Sequence, residues 1–187
     1  MNFLKNLILT SVYFIAVFII LFIINLCDRL PEFRIYHSER DGFSILMPGE
    51  PETSSQELKT PFFTYSSTTI SAGSRKSQFM VSTTKLAGKI TRIKYGFDAS
   101  TNPALDFIKS VILATGGGEI IKETDLDFCG LSAKEYEMEI IGIRSLRARV
   151  IPFNNKYYVL MVRSKSEKVL DEKAPEFFDS LKFDSEQ

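Results

Sequence analysis

Tryptophan is absent from this sequence, histidine occurs once and cysteine occurs twice. Because Cys27 and Cys129 lie far apart in the chain, a small fold held together by several disulfides is excluded. The single histidine, His37, has no second histidine and no cysteine at ligand spacing, which argues against a zinc site and against histidine-based nucleophilic catalysis. We expect no cofactor or metal, and we expect Cys129 to be a small buried hydrophobic residue.

An excess of charge of either sign is also lacking. The 23 basic and 23 acidic residues leave a net charge of zero. A basic surface for nucleic acid is therefore not expected, and we do not predict nucleic acid as a partner. The 16 phenylalanines and 7 tyrosines indicate core packing in a strand-rich domain rather than a stacking surface for bases.

The longest apolar segment is LILTSVYFIAVFIILFIINL at residues 7–26, which contains no charge, glycine or proline. A helix of about twenty apolar residues is long enough to cross the hydrocarbon core of a bilayer. We predict one N-terminal transmembrane helix within an anchor at residues 1–27. A cleaved signal peptide is an alternative, although no Ala-x-Ala site follows the run. Cys27 is a candidate lipidation site, since an aliphatic residue precedes it by three positions, but Leu26 departs from the small residue that lipoprotein signals carry there.

The orientation of the anchor has two interpretations. Arg29, Arg34 and Arg40 follow the span and only Lys5 precedes it, which by itself favours a cytoplasmic domain. A lone hydrophobic segment preceded by a lysine is also the form of an export signal. We predict a single-pass protein of the bacterial inner or plasma membrane whose globular domain, residues 42–187, lies on the extracytoplasmic side.

Residues 28–41 show no clear apolar period, so we predict a tether, with His37 as a solvated linker residue. The globular part opens with GFSILMPGEP at residues 42–51, a short strand that ends at the turn dipeptide Pro48-Gly49. This opening strand resembles that of the Mog1/PsbP-like α/β/α sandwich domains found in anchored or exported bacterial proteins. The resemblance continues to a closing segment, FFDSLKF, at residues 177–183. The resemblance implies an α+β fold but no catalytic motif, because members of the group have different functions.

The remaining periodicity predicts an antiparallel sheet of about six or seven strands flanked by two helices. Strands are expected at 60–71, 78–86, 120–128 and 132–141, and Tyr157–Val162, apolar on both faces, is expected to be a central strand. Asn102-Pro103 begins the first helix, and the glycines at 116–118 are expected to end it rather than to bind phosphate. A second helix is expected after Ser166. Asn154-Asn155 predicts a type I′ hairpin turn.

Charged residues alternate along two of these strands. A hairpin centred on Gly142 places Glu137 opposite Arg147 and Glu135 opposite Arg149. We interpret these pairs, with Glu139, as charge pairing across an exposed sheet face. A metal site or an acid/base site is the alternative.

Two further groups of residues are candidates for contacts. Hydroxyl residues at 66–69 and 82–84 are expected on an exposed antiparallel face, with a Ser-Lys pair involving Lys85 or Lys76 as the alternative. The loop at 87–101 is the candidate contact surface for a partner or for anionic lipid headgroups. Its basic and aromatic side chains are Lys89, Arg92, Lys94, Tyr95 and Phe97.

These features predict a non-enzymatic, membrane-anchored binding or assembly module of the cell envelope, with a protein partner in that envelope. Two alternatives stay open. One is a hydrolase that works without histidine. The other is a carrier of a small apolar ligand held between helix and sheet.

Overall fold

A computed structural model describes residues 30–59, 63–88, 103–140 and 143–184 of the chain. The predicted anchor, Cys27 and the five candidate contact residues Lys89, Arg92, Lys94, Tyr95 and Phe97 lie outside these residues. The described strands are β1 (Phe33–Ser38), β2 (Phe43–Pro48), β3 (Glu52–Lys59), β4 (Phe63–Gly73), β5 (Ser77–Gly88), β6 (Glu119–Phe128), β7 (Leu131–Ile140), β8 (Ile143–Phe153), β9 (Lys156–Ser164) and β10 (Lys182–Phe183). The helical elements are α1 (Pro103–Gly116), a π-helical turn (Val169–Lys173) and α2 (Ala174–Asp179).

Seven of the strands form one antiparallel sheet in the order β3-β4-β5-β9-β8-β7-β6. The predicted sheet of six or seven strands with two helices is therefore confirmed. Strand β9 occupies the centre of this sheet, as its apolar sequence on both faces predicted. A second, three-stranded sheet, β1-β2-β10, was not predicted. The opening strand β2 lies in this small sheet.

Each face of the large sheet carries its own hydrophobic core. Helix α1 covers one face, where Ile108 and Ile112 pack against Tyr136 and Met138. The small sheet, the π-helical turn and α2 cover the other face. The buried side chains of this second core include Phe43, Ile45, Ile70, Phe79, Val81, Leu160, Leu170, Phe177 and Phe178. Burial on both faces explains why the middle of β9, Tyr157–Val162, contains no charged residue.

The turns follow the predicted chemistry. Asn154 and Asn155 have φ angles of 47° and 56°, which confirms the type I′ hairpin. Gly117, at φ 68°, ends α1 by donating its N–H to the carbonyl of Leu113 at 3.0 Å, which confirms the glycine cap. Cys129 lies in the β6–β7 turn and is exposed, so the expectation that it is buried was wrong.

The prediction of a tether at 28–41 is wrong for residues 33–38, which form β1 and pair with β2 from Phe33 opposite Pro48 to Ser38 opposite Phe43. The Asp41-Gly42 dipeptide makes this hairpin possible, because Gly42 adopts a φ of 69° and donates its N–H to the Ser38 carbonyl at 2.8 Å. The polar segment Glu52–Lys59, for which no strand was predicted, is the exposed edge strand β3.

The predicted pairs of charges are present in the predicted register, with Glu135 opposite Arg149 and Glu137 opposite Arg147. They do not lie on an exposed face, however, because Glu135 is only 9% exposed and Arg149 only 7%. The π-helical turn and α2 cover this part of the sheet. This position could not be predicted from the two strands alone, since the covering residues follow some thirty positions later in the chain.

Glu135 is the centre of a buried ionic network. Its Oε2 accepts hydrogen bonds from Arg149 Nε at 3.0 Å and Nη2 at 2.9 Å, and its Oε1 accepts one from Arg147. Arg149 also donates to Asp179 at 2.7 Å, and Arg147 donates to the Leu170 carbonyl at 2.9 Å. The two arginines therefore connect the large sheet to the covering segment at both of its ends.

Replacing the central carboxylate tests this network. We expect Glu135→Ala to lower the free energy of unfolding by about 3–5 kcal/mol, because two arginines would remain buried without their shared acceptor. Urea unfolding of the full chain in detergent micelles, followed by tyrosine fluorescence, measures the effect. The matched control Glu119→Ala, at an exposed position of β6, should stay within about 0.5 kcal/mol of the unsubstituted chain. Equal effects at the two positions would contradict the assignment.

A smaller network attaches α1 to the opposite face of the same β6–β7 edge of the sheet. Glu123 on β6 accepts hydrogen bonds from Lys109 of α1 at 2.6 Å and from Lys134 of β7 at 2.9 Å. The hydrogen bond from Lys109 lowers the pKa of Glu123 below its ordinary value of 4.5, Lys134 lowers it further, and partial burial opposes both. A carboxyl group with a lowered pKa stabilises the fold above its unfolded pKa and loses that contribution as the pH falls.

We therefore expect Glu123→Gln to lower the free energy of unfolding at pH 7 by about 0.5–1 kcal/mol, a modest effect because the group is about one third exposed. The difference should disappear as the pH falls through the lowered pKa of Glu123, since the native carboxyl group is then also neutral. Urea unfolding measured across the acidic range tests this expectation. A difference that does not change with pH would show that the contribution of Glu123 is not ionic.

Candidate functional site

A polar cleft of about 400 Å³ opens between the β1–β2 loop and the middle parts of β3, β4 and β5. We define the polar cleft by nine of the side chains that line it: Arg40, Asp41, Ser55, Glu57, Ser66, Thr68, Thr83, Lys85 and Lys156. Three elements that are distant in sequence meet there: the β1–β2 loop, the β3–β5 meander and the start of β9.

The strands place their polar side chains in the cleft through the alternation of faces. On β4 and β5, Ile70 and Val81 are paired opposite each other and belong to the buried core. The next pair on the same face is Thr68 with Thr83, and the one after it is Ser66 with Lys85. The same face of the sheet therefore changes from apolar core to polar cleft within two pairs of residues.

The roof of the cleft is attached to its floor by Tyr158. This residue pairs with Thr83 across β5 and β9, and its hydroxyl donates a hydrogen bond to the Asp41 carbonyl at 2.9 Å. Burial raises the pKa of Tyr158 to about 12, with smaller contributions from the charges of Asp41 and Asp184. The hydroxyl therefore stays a hydrogen-bond donor at neutral pH and holds the β1–β2 loop over the sheet.

Two polar atoms in the cleft are buried and have no hydrogen-bond partner among the described residues. They are Oδ2 of Asp41 and Oγ1 of Thr83, on side chains that are 9% and 5% exposed. The other carboxylate oxygen of Asp41 lies 3.5 Å from Nζ of Lys156. An unsatisfied buried polar group costs about 1–3 kcal/mol, and such groups are few in native proteins. Two of them at one cleft therefore require an explanation.

Hydroxyl groups on the opposite face of the same strands are paired. Ser67 lies 3.2 Å from Thr84, and Thr69 lies 2.7 Å from Ser82, each distance measured between hydroxyl oxygens. This face packs towards α1, so the expectation of an exposed hydroxyl face was wrong for most of these residues. The buried hydroxyls of Ser82 and Thr84 on one side of β5 therefore have hydrogen-bond partners, whereas the hydroxyl of Thr83 on the other side has none among the described residues.

A second cavity lies between this face and α1, with Met80, Ile108 and Met161 among its lining residues. Within the described residues its volume is about 110 Å³. An apolar cavity of about 150 Å³ holds one benzene molecule. The observed cavity is therefore too small for an acyl chain, and it gives little support to the alternative of an apolar carrier.

The surroundings of His37 differ from those of the histidine in a Ser-His-Asp hydrolase. Its Nδ1 lies 3.0 Å from the Ser44 hydroxyl and 3.9 Å from the Asp184 carboxylate. In a catalytic triad the serine and the carboxylate contact different ring nitrogens, whereas here both face the same one. His37 is exposed on β1 but is not part of a linker.

The structure places one possible Ser-Lys pair together: Ser66 on β4 is directly opposite Lys85 on β5, and both line the polar cleft. Lys85 is exposed, however, and no hydrogen bond joins it to a hydroxyl group in the described part of the chain. The described residues contain no cluster of three His, Cys, Asp or Glu side chains that could hold a metal ion.

The cleft includes residues for which the sequence predicted no site. Thr83 and Lys85 were candidates, but Arg40 and Asp41 were assigned to the tether and Lys156 to no site. The Asp41-Gly42 dipeptide was the available signal, because Asp-Gly between two strand-forming segments is a strong hairpin indicator. Lys156 carried no local signal, since its role depends on the pairing of β5 with β9.

No protein-family model matches the chain, and no curated protein matches it. Among solved structures, the chain is similar to cyanobacterial PsbP of Synechocystis sp. PCC 6803, with a TM-score of 0.49 and 16% identity over 83% of this chain and 94% of that one. It is also similar to a Pseudomonas aeruginosa protein of unknown function, with a TM-score of 0.35 and 12% identity over 77% and 90% of the two chains. Neither likeness tells what this chain binds. No helix in the described ranges is long and apolar enough to cross a membrane.

Substitutions at two adjacent threonines on β5 test whether the cleft contains a buried hydroxyl without a hydrogen-bond partner. We expect Thr83→Val to leave the free energy of unfolding unchanged or to raise it, since the substitution removes a buried hydroxyl that has no protein partner. The matched control Thr84→Val removes a hydroxyl that is bonded to Ser67, and it should lower that free energy by about 1 kcal/mol. Urea unfolding measures both variants. Equal losses would show that Thr83 has a partner in the folded protein.

Proposed function

We propose that this chain is a membrane-anchored, non-enzymatic binding module of the cell envelope, and that it holds a small polar ligand in the polar cleft. The observation that carries the proposal is the pair of buried polar atoms, Asp41 Oδ2 and Thr83 Oγ1, without partners among the described residues. A ligand that hydrogen-bonds to both would recover the free energy that they cost in the empty fold.

The construction of the cleft supports binding rather than a structural defect. The floor belongs to regular strands of the large sheet, and the roof is held by the hydrogen bond from Tyr158. Such a site is preformed, so a ligand would not need to order the chain when it binds. The arrangement at His37, where one ring nitrogen faces both neighbours, argues against a histidine-based triad. The exposed position of Lys85 argues against the Ser-Lys alternative.

The membrane part of the proposal rests on the apolar segment at residues 7–26. Strand β1 begins seven residues after that segment ends, which allows a separation of about 25 Å even for a fully extended connection. The β1–β2 loop lies at the far end of the six-residue strand β1, about 20 Å further on, so the cleft would stay within about 45 Å of the membrane surface. Digestion by a protease added outside intact cells would place the globular domain on the extracytoplasmic side. Protection until the cytoplasmic membrane is opened would place it in the cytoplasm.

Native mass spectrometry of the full chain, extracted from its own membranes in mild detergent, tests the binding function. We expect a bound small molecule in the unsubstituted chain and at least about a tenfold lower occupancy in the double variant Asp41→Asn/Thr83→Val, which removes the charge and the hydroxyl that face the cleft.

The control for this experiment is Thr84→Val, which changes the opposite face of the same strand and should retain the molecule. Loss of the molecule from the control as well, or its retention by the double variant, would contradict binding in the cleft. An unsubstituted chain that carries no bound molecule would contradict the proposed function.

A further inference from the structure

We propose that the ligand of the polar cleft is a sugar acid, that is, a small molecule with several hydroxyl groups and one carboxylate; this inference rests on the proposed function. Three properties of the cleft lead to this class: an open carboxylate oxygen, a group of neighbouring hydroxyls and an excess of one positive charge.

The open oxygen of Asp41 requires a donor from the ligand. A hydroxyl group or an ammonium group could supply it. The other oxygen of Asp41 already lies 3.5 Å from the Lys156 ammonium group, whose side chain is only 17% exposed. A second ammonium group beside Asp41 would be repelled by Lys156, whereas a hydroxyl group would not be. The position therefore favours a hydroxyl donor.

The floor of the cleft offers further partners for hydroxyl groups. Ser55, Thr68 and Thr83 lie on three neighbouring strands, and each is directly opposite the next across the sheet. The hydroxyls of Ser55 and Thr68 lie 3.3 Å apart, and the Thr83 hydroxyl has no partner among the described residues. Since a hydroxyl group both donates and accepts, this row suits a ligand whose own hydroxyls are adjacent, as they are in a sugar.

The charges around the cleft favour a ligand with one negative charge. Arg40, Lys85 and Lys156 are positive and Asp41 and Glu57 are negative, which leaves three minus two, or one, positive charge in excess. Neither Arg40 nor Lys85 has a carboxylate within ion-pair distance in the described ranges, although Arg40 donates to Ser55 at 3.5 Å. A carboxylate on the ligand would be attracted to these two side chains, while a neutral sugar would leave them unpaired.

Isothermal titration calorimetry of the full chain in detergent micelles tests this assignment with D-glucuronate as the probe. D-Glucose has a similar ring of hydroxyls without the carboxylate, and acetate has the carboxylate without the hydroxyls. We expect glucuronate to bind at least about tenfold more tightly than either, because only glucuronate can contact both the Asp41 side and the Lys85 side of the cleft.

Three variants test which side chain contacts the carboxylate of the ligand and which contacts its hydroxyl groups. Lys85→Gln should weaken glucuronate binding and leave glucose binding unchanged, whereas Asp41→Asn should weaken the binding of both. The control Lys165→Gln, at an exposed position outside the cleft lining, should bind glucuronate as the unsubstituted chain does. Near-ultraviolet circular dichroism of the tyrosines verifies that each variant is folded.

Equal affinity for glucuronate and acetate, or no binding of glucuronate, would overturn the sugar-acid assignment. Tighter binding of D-glucose 6-phosphate than of glucuronate would also overturn it, because the anion would then be a phosphate. If native mass spectrometry finds a cleft-dependent molecule while glucuronate fails to bind, the proposed function stands and the ligand class is wrong. If both experiments find nothing, the proposed function fails as well.

Discussion

The fold depends on the buried carboxylate of Glu135, which holds Arg147 and Arg149 on one face of the large sheet. These arginines bind the segment that covers the sheet, through the Leu170 carbonyl and the Asp179 side chain. The covering segment leads directly into β10, which pairs with β2, and β2 pairs with β1. The loop between β1 and β2 is the roof of the polar cleft. The position of that roof therefore depends on an ionic network on another part of the sheet.

The network and the cleft differ in how their buried carboxylates are bonded. Both oxygens of Glu135 are bonded, and Arg149 also lies over the rings of Phe128 and Phe178 at 5.8 Å and 5.0 Å. In the cleft, by contrast, one oxygen of Asp41 and the hydroxyl of Thr83 have no partner in the part of the chain that the structure describes. Nε of Arg147, in the network, and Oγ of Ser145 also have no partner among the described residues, but each is a single atom, whereas the two atoms of the cleft lie at one opening. We attribute the two unpartnered atoms at the cleft to a ligand.

Local rules predicted much of the large sheet but little of the cleft. The pairing of Glu135 with Arg149 followed from the alternation of residues about Gly142, and the turn at Asn154-Asn155 followed from the conformations that asparagine tolerates. The burial of Glu135 did not follow, because burial depends on a segment far along the chain. The cleft could not be assembled from sequence for the same reason. Its residues come from a loop, three strands and the start of β9, and only their pairing brings Asp41 close to Lys156.

An experimental electron-density map of the protein purified from the cells that make it would test the central claim most directly. The claim is that Asp41 Oδ2 and Thr83 Oγ1 are kept open for a ligand. It predicts density for an organic molecule in the cleft, with a donor within hydrogen-bond distance of Asp41 Oδ2 and an acidic group beside Lys85. Ordered water molecules that fill the cleft and bond to both atoms would contradict the claim, because the two groups would then be satisfied without any ligand.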